Sequence, residues 1–291
     1  MTQPVHAIKT NYHTHSTFCD GKETAEAMAQ AAVRKGFQVL GFSSHAMYPF
    51  CNDWHIHAPD GYRAYLSEIG RLKEAYREQL EILCGFEADF IPGLTRPDKD
   101  GADGYGQFSP DFIIGSVHYV VGNGGSFEAA GPLQETRERI GRYFDGDVRK
   151  AVSAYFASER QMLAESRFTI LGHADLVRRQ NPRDAEPLFD EEANWYTEEL
   201  EKTADAIAQA GVIVEINTGG MARCNLAGPY PSPAFLRLLH ARRVPVTINS
   251  DAHRSEYLDF AFDEALQTAR EAGYTQLAWL DGRGIKFQDI G

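Results

Sequence analysis

The chain has 291 residues, 43% hydrophobic and 24% charged, an ordinary globular composition long enough for one large α/β domain with a sizeable core. Its 41 acidic residues outnumber 29 basic ones, and the net charge of −12 argues against a broad basic surface for nucleic acid, though not against an anionic substrate held near bound cations. No apolar run approaches the roughly 18–20 residues of a membrane span, the start "MTQPVHAIKT" has no secretory apolar core, and Cys19, Cys51, Cys84 and Cys224 form no CxxC pair. A cytoplasmic protein with free thiols is the expectation.

In chain order, "IKTNYH" predicts a first strand. "ETAEAMAQAAVRKG" predicts a helix, acidic at its start, basic at its end and closed by Gly36. "FQVLGFSSH" is a second strand. Residues 60–80 carry Tyr62, Tyr65, Leu66, Ile69, Leu72, Tyr76 and Leu80 in steps of three and four, a helix with one buried stripe. "EILCGFEADF" and "DFIIGSVHYV" are the third and fourth strands, followed by a helix around 147–165. "FTILGHADLV" is the fifth strand, residues 190–210 are helical, and "GVIVEINTGG" is the sixth strand. "SPAFLRLLHARR" is a helix, "VPVTINSDAH" the seventh strand and residues 256–272 a further helix, before a closing strand or hairpin in "TQLAWLDGRGIKF".

This alternation implies a parallel sheet covered by helices. Seven such units favour closure into a barrel, with an open doubly wound sheet as the alternative. The absence of GxGxxG after the first strand and of GxxxxGK[ST] takes support from nucleotide-binding open sheets. Residues 95–107 read as a mobile polar loop and 121–136 as a rim loop. Neither has the size of a domain, so residues 1–291 are read as one domain.

The strand ends collect an unusual set of side chains: His13 and His15, His45, Glu87, His118, His173 with Asp175, Asn217 with Arg223, and Asp251 with His253. In a parallel barrel these ends share one face, where barrel active sites are built. Six of the ten histidines fall there. Any one of them alone reads as a hydrogen-bonded loop residue. Together, converging carboxylates and neutral imidazoles call for a cation to join them. With Asp20, the set gives nine candidate ligands, enough for two or three ions. Imidazole and carboxylate without cysteine suit Zn²⁺, Mn²⁺ or Fe²⁺. Such clusters serve in-line displacement at phosphate esters.

The ordered motifs "HTH", "SSH", "GFEADFIPG", "GSVH", "GHAD" and "SDAH", spread from about residue 10 to 255, resemble the polymerase and histidinol phosphatase family of metal-dependent phosphoesterases. "GFEADFIPG", "FIIGSVH", "ILGHAD" and "EINTGG" are most similar to its histidinol-phosphate phosphatases. The resemblance implies a distorted (β/α)7 barrel of parallel strands within an outer ring of helices. It also implies hydrolysis of L-histidinol phosphate in histidine biosynthesis, or of another small phosphate ester or nucleotide. His13, His15 and Asp251 would hold a first metal, Glu87 would bridge it to a second held by His118 and His173, and Asp20, His45 and His253 would hold a third. Asp20 has a local alternative as a turn residue in "CDGK".

Arg223 stands where the family places a phosphate-binding arginine, and Arg178 is a second candidate for substrate binding. The alternative for Arg223 is a solvated surface arginine. Asp251 and His253 are the candidates for the leaving-group proton, beside Glu87 as the bridging catalytic carboxylate. His55 and His57 read as loop residues over the site, and His240 as a structural or solvated helix residue. The expected partner is a small-molecule phosphate ester, with neither nucleic acid nor membrane, and the oligomeric state is left open.

Overall fold

The structure is a computed structural model that describes residues 8–46, 48, 50, 52–56, 60–98 and 105–291. The chain runs through β1 (Thr10–Asn11), α1 (Ala25–Arg34), β2 (Val39–His45), α2 (Asp60–Tyr76), β3 (Glu81–Asp89) and β4 (Phe112–Ser116). A hairpin, β5 (Tyr119–Gly122) and β6 (Gly125–Glu128), leads into α3 (Leu133–Tyr143) and α4 (Val148–Glu165). Then come β7 (Ile170–Leu171), α5 (Asn194–Ala210), β8 (Ile213–Asn217), the short α6 (Gly219–Cys224), α7 (Pro233–Ala241), β9 (Val246–Asn249) and α8 (Phe262–Glu271). The hairpin of β10 (Gln276–Asp281) and β11 (Gly284–Asp289) ends the chain.

Seven strands form one parallel sheet in the order β1-β2-β3-β4-β7-β8-β9. The sheet curls until its ends meet. Thr14 pairs in parallel with Ala252, the Ala252 N–H donates to His13 O at 3.1 Å, and the His15 N–H donates to Ala252 O at 2.9 Å. The result is a nearly closed seven-stranded barrel ringed by helices, as the alternation of elements predicts.

Period-two alternation sorts the side chains. On β2, Leu40 and Phe42 face outward into the core beneath α1 and α2, while Val39 faces the barrel interior. The lower interior is apolar, built from Tyr12, Val39, Leu83, Phe112, Ile114, Ile170 and Ile213. The β10–β11 hairpin plugs its bottom with Ala278 and Leu280. The Tyr12 hydroxyl holds the plug by accepting from Leu280 N–H at 2.7 Å and donating to Leu280 O at 2.9 Å.

Two interior glycines make room for Phe112. A Cβ on Gly41 would lie 2.7 Å from its ring, and one on Gly85 2.6 Å. Above this ring the interior turns polar.

The structure corrects the reading of residues 121–136. They are the end of β5, the tip and second strand of the β5–β6 hairpin, a short link and the first turn of α3, which sequence periodicity did not reveal. Strands β1 and β7 keep only two paired residues each, because the chain beyond them bends into the mouth of the barrel. Residues 99–104 of the expected mobile loop lie outside the described residues, as does His57.

Gly85→Ala should destabilise the fold by roughly 1–3 kcal/mol through overpacking against Phe112, measured by urea denaturation. In a double-mutant cycle with Phe112→Leu the cost should shrink. An unchanged cost would acquit the ring.

Candidate active site

The carboxyl ends of the seven strands open onto a cavity of about 590 Å³, whose wall includes Asp20, His45, Glu87, His118, His173, Asp251 and His253. Parallel pairing sets the first neighbours. His45 on β2 is registered against Glu87 on β3, and their Nδ1 and Oε2 atoms lie 3.1 Å apart. Three overlapping donor groups result: His15, Asp20, His45 and His253; His13, His15 and Glu87; and Glu87, His118 and His173. Within each group the donor atoms lie within 4.8 Å of one another. Asp251 joins them, its Oδ1 3.2 Å from His15 Nε2 and 3.6 Å from His13 Nε2. All nine residues expected as ligands are therefore brought together. His15 and Glu87 tie the three groups into one cluster.

The donor chemistry fits divalent cations. Bonds near 2.1 Å hold two ligand atoms of one ion roughly 3.0–3.4 Å apart. The His13 Nε2–Glu87 Oε2 separation is 3.0 Å and the His118 Nε2–Glu87 Oε1 separation is 3.3 Å. Yet His13 Nε2, His15 Nε2, His45 Nδ1 and Asp20 Oδ1 are buried without a hydrogen-bond partner. Close approach without hydrogen-bond geometry is what ligands aimed at a common ion produce.

A second layer fixes the imidazoles. Glu215, fully buried on β8, holds His13 Nδ1 at 2.9 Å and accepts from His173 N–H at 2.8 Å, from Asn217 Nδ2 at 2.7 Å and from Asn249 Nδ2 at 2.8 Å. Its contact directs His13 Nε2 toward Glu87. Asp89, two residues beyond Glu87 on the same face of β3, accepts from His118 N–H at 2.9 Å and from the Tyr48 hydroxyl. Cys19 Sγ lies 3.4 Å from His15 Nδ1, and Ser116 Oγ donates to Glu87 at 2.8 Å. The sequence reading missed this layer. A charged residue inside the apolar run "GVIVEIN" and the i, i+2 carboxylates of "FEAD" were its available signals.

Burial works against charge throughout the cluster, and at Glu87, Asp251, His15 and His118 mutual attraction overrides it. For Glu87, His13, His45 and His118 outweigh burial and hold the carboxyl well below its usual range. Burial is likewise outweighed at Asp251 by Arg223 and His13, so it stays ionised. At His15, Cys19, Asp251 and Asp20 overcome burial and push the imidazole up to about 10, and at His118, Asp89 and Glu87 push it up to about 9. His45 goes the other way: burial, with His15 and His118 as like charges, drives it well below the histidine norm. Protons thus occupy part of the cluster in the absence of a cation.

Arg223, on α6, reaches the cavity wall and donates from Nη2 to Asp251 Oδ2 at 2.7 Å and from Nη1 to the Asp251 carbonyl. Arg178 does not face the cavity. It is buried, donating to Glu191 Oε2 at 2.7 Å and to Pro229 O at 2.9 Å, and it lies 3.7 Å from Asp175. The chain turns in a tight 3-10 segment after His173, so its neighbour Arg179 lines the cavity instead. Lys22 and Arg254 complete the basic part of the wall. His55 is buried beside Asn52, and His240 packs edge-on against Tyr274 away from the cavity.

The family model for the PHP domain matches residues 11–219. The chain belongs to the PHP-domain family. It is a metal-dependent phosphoesterase of that family. A Deinococcus radiodurans protein named "Probable histidinol-phosphatase" is 28% identical over 264 residues, 90% of this chain and 92% of the relative. The histidinol-phosphatase of Bacillus subtilis is 25% identical over 272 residues, 89% of this chain and 98% of the relative. The fold matches the crystal structure of a Lactococcus lactis histidinol phosphate phosphatase complexed with zinc, L-histidinol and phosphate. That match has a TM-score of 0.65 and 19% identity, and covers 96% of this chain and 99% of the other. Among the described residues, no helix of this PHP protein is long and apolar enough to cross a membrane.

Two outcomes are expected. Glu215→Gln should lower metal affinity about 10- to 100-fold with the fold intact, read from metal content after dialysis against a graded chelator. An unchanged affinity would deny Glu215 its orienting role. Because the protons on His15 and His118 must leave before those nitrogens bind a cation, apparent metal affinity should rise from pH 6 to about 9 in competition titrations. A flat profile would contradict the proton displacement.

Proposed function

We propose that this PHP protein is a phosphomonoesterase hydrolysing L-histidinol phosphate to L-histidinol and phosphate, a step of histidine biosynthesis. The observation that carries this reading is the sharing of Glu87 and His15 among three donor groups at the floor of one cavity, beneath Lys22, Arg179, Arg223 and Arg254. Near full-length similarity to histidinol-phosphatases, and the ligands of the Lactococcus lactis structure, support the substrate.

In this reading His13, His15 and Asp251 would hold one divalent ion, His118 and His173 a second, and Asp20, His45 and His253 a third, with Glu87 contributing to the first two. Zinc, manganese and iron all suit these donors. Bound there, the ions would supply Lewis acidity to the phosphate ester. The chain does the rest. Arg223 grips phosphate oxygens with the edge of its guanidinium not used by Asp251. Asp251, held ionised by Arg223 and His13, suits the taking of a proton rather than the giving of one. His253 points Nε2 toward Asp20 at 3.1 Å and Nδ1 toward the Asp251 carbonyl at 3.1 Å, which suits a ligand better than a proton donor.

The test is phosphate release by the Zn²⁺- or Mn²⁺-loaded protein from L-histidinol phosphate, sugar phosphates and nucleotides. A preference for histidinol phosphate of at least about 100-fold in kcat/KM, some 2.7 kcal/mol, is expected. Comparable rates would keep the phosphoesterase and discard the substrate. Glu87→Ala should lose bound metal and activity together, and full activity in that variant would sink the shared-ligand assignment. Arg223→Ala should raise KM about tenfold or more. It should also loosen metal retention, because Asp251 loses its brace; unchanged KM and metal content would remove Arg223 from the site.

A further inference from the structure

We infer that Glu128 makes this site select phosphate esters whose alcohol carries a positive charge, with Trp54 as the aromatic face beside it. The inference rests on the phosphomonoesterase reading and names its specificity determinant.

Four carboxylates are on the described cavity wall, and three of them, Asp20, Glu87 and Asp251, belong to the metal-ligand cluster. Glu128 is the fourth. It is exposed, its side chain shares a hydrogen bond with the Tyr119 hydroxyl, and among the described residues it makes no ion pair. A carboxylate in the mouth of a site for dianionic phosphate repels substrate unless it meets a compensating charge on the same molecule.

Its backbone is fixed relative to the cluster. Glu128 pairs with Tyr119 in the β5–β6 hairpin, and the next residue, Ala129, donates its N–H to the carbonyl of His118 at 2.8 Å. Gln180, seven residues past His173, donates to Ala129 O at 2.8 Å and to Gly131 O at 3.0 Å. The hairpin end is thus strapped to the two loops that carry His118 and His173. Trp54 shares this wall. Its ring stacks on Tyr119 at 6.2 Å between centroids and stands edge-on to His45 at 4.6 Å and to His118 at 5.4 Å.

The barrel order separates the two chemistries. Lys22, Arg254 and Arg223 follow β1, β9 and β8, which are adjacent around the mouth. Trp54, Glu128 and Leu176 follow β2, β4 and β7 on the other arc. Phosphate fits the first arc and an ammonium-bearing leaving group the second, where a carboxylate and an aromatic face both favour a cation. Arg179 stands on the second arc as well, and it is the rival partner for Glu128.

The experiment compares wild type with Glu128→Gln on L-histidinol phosphate, O-phosphoethanolamine and glycerol 1-phosphate. The ratio of kcat/KM for each cationic ester over the neutral one should fall about tenfold or more in the variant. Calorimetry should show L-histidinol binding weakened to a similar degree, a readout that needs no turnover. Unchanged ratios and unchanged L-histidinol affinity overturn the inference. A loss that is equal for all three esters, and is reproduced by Arg179→Ala, overturns it too, since it makes Glu128 a brace for Arg179. If wild type favours phosphoethanolamine over histidinol phosphate while the ratio still collapses in Glu128→Gln, the charge selection stands and the substrate proposed above falls.

Discussion

The molecule is organised around one buried carboxylate. Glu87 is 2% exposed at the inner end of β3, with nitrogens of His13, His45, His173 and His118 at 3.0, 3.1, 3.0 and 3.3 Å. A carboxylate taken out of water is costly unless opposite charge and hydrogen bonds replace its hydration. Ser116 supplies one hydrogen bond, and His13, His45 and His118 supply the electrostatic attraction. Those imidazoles come from the ends of β1, β2, β4 and β7, so only a curled sheet with every strand parallel can deliver them to one point. The barrel is the device that makes the carboxylate tolerable.

The same constraint explains the vertical grading of the interior. Below the cluster the barrel is filled by apolar side chains, with Phe112 seated over Gly41 and Gly85 and the β10–β11 hairpin closing the end. This plug closes the interior beneath the ligands, whose polar partners are one another, the layer of Glu215, Asp89, Asn217 and Asn249, and Cys19, Ser116 and Arg223. Asp251 carries part of the cost in its backbone. Its φ of 51° is in the left-handed region, which an aspartate tolerates at a modest penalty. Arg223 and the Thr14–Ala252 pairing hold it there.

Much of this was legible in the sequence. The alternation of apolar runs and amphipathic helices predicted the parallel barrel, because each strand is buried on both faces and each helix on one. The candidate ligands were legible because they are charged or titratable groups at the ends of apolar strands. What escaped was set by tertiary geometry. The β5–β6 hairpin is rich in glycine and polar residues, so its pattern matches a loop; its pairing is sealed by Phe127 against Phe144 and by the strap from Gln180. Arg178 and Arg179 are adjacent in sequence, and only the turn after His173 decides which one is buried with Glu191 and which lines the cavity. Glu215 reads as a strand residue until its partner, 202 positions away, is known.

The placement of charge also reconciles a net charge of −12 with a site for an anion. The acidic excess is spread over the whole chain, and its effect on a small ligand falls off within a Debye length of about 8–10 Å. Inside the mouth the balance is local. Asp20, Glu87 and Asp251 are matched to cations, by the donor chemistry of their cluster, and the basic residues after β8, β9 and β1 face the same space. Among the described lining residues Glu128 alone keeps the global sign, and it does so on the far arc, where the inferred orientation puts the alcohol half of an ester rather than its phosphate. A site built this way discriminates by the distribution of charge along its ligand and not by the ligand's net charge. An ester with a negative head and a positive tail meets the opposite sign at both ends, whereas a nucleotide or sugar phosphate meets it at only one.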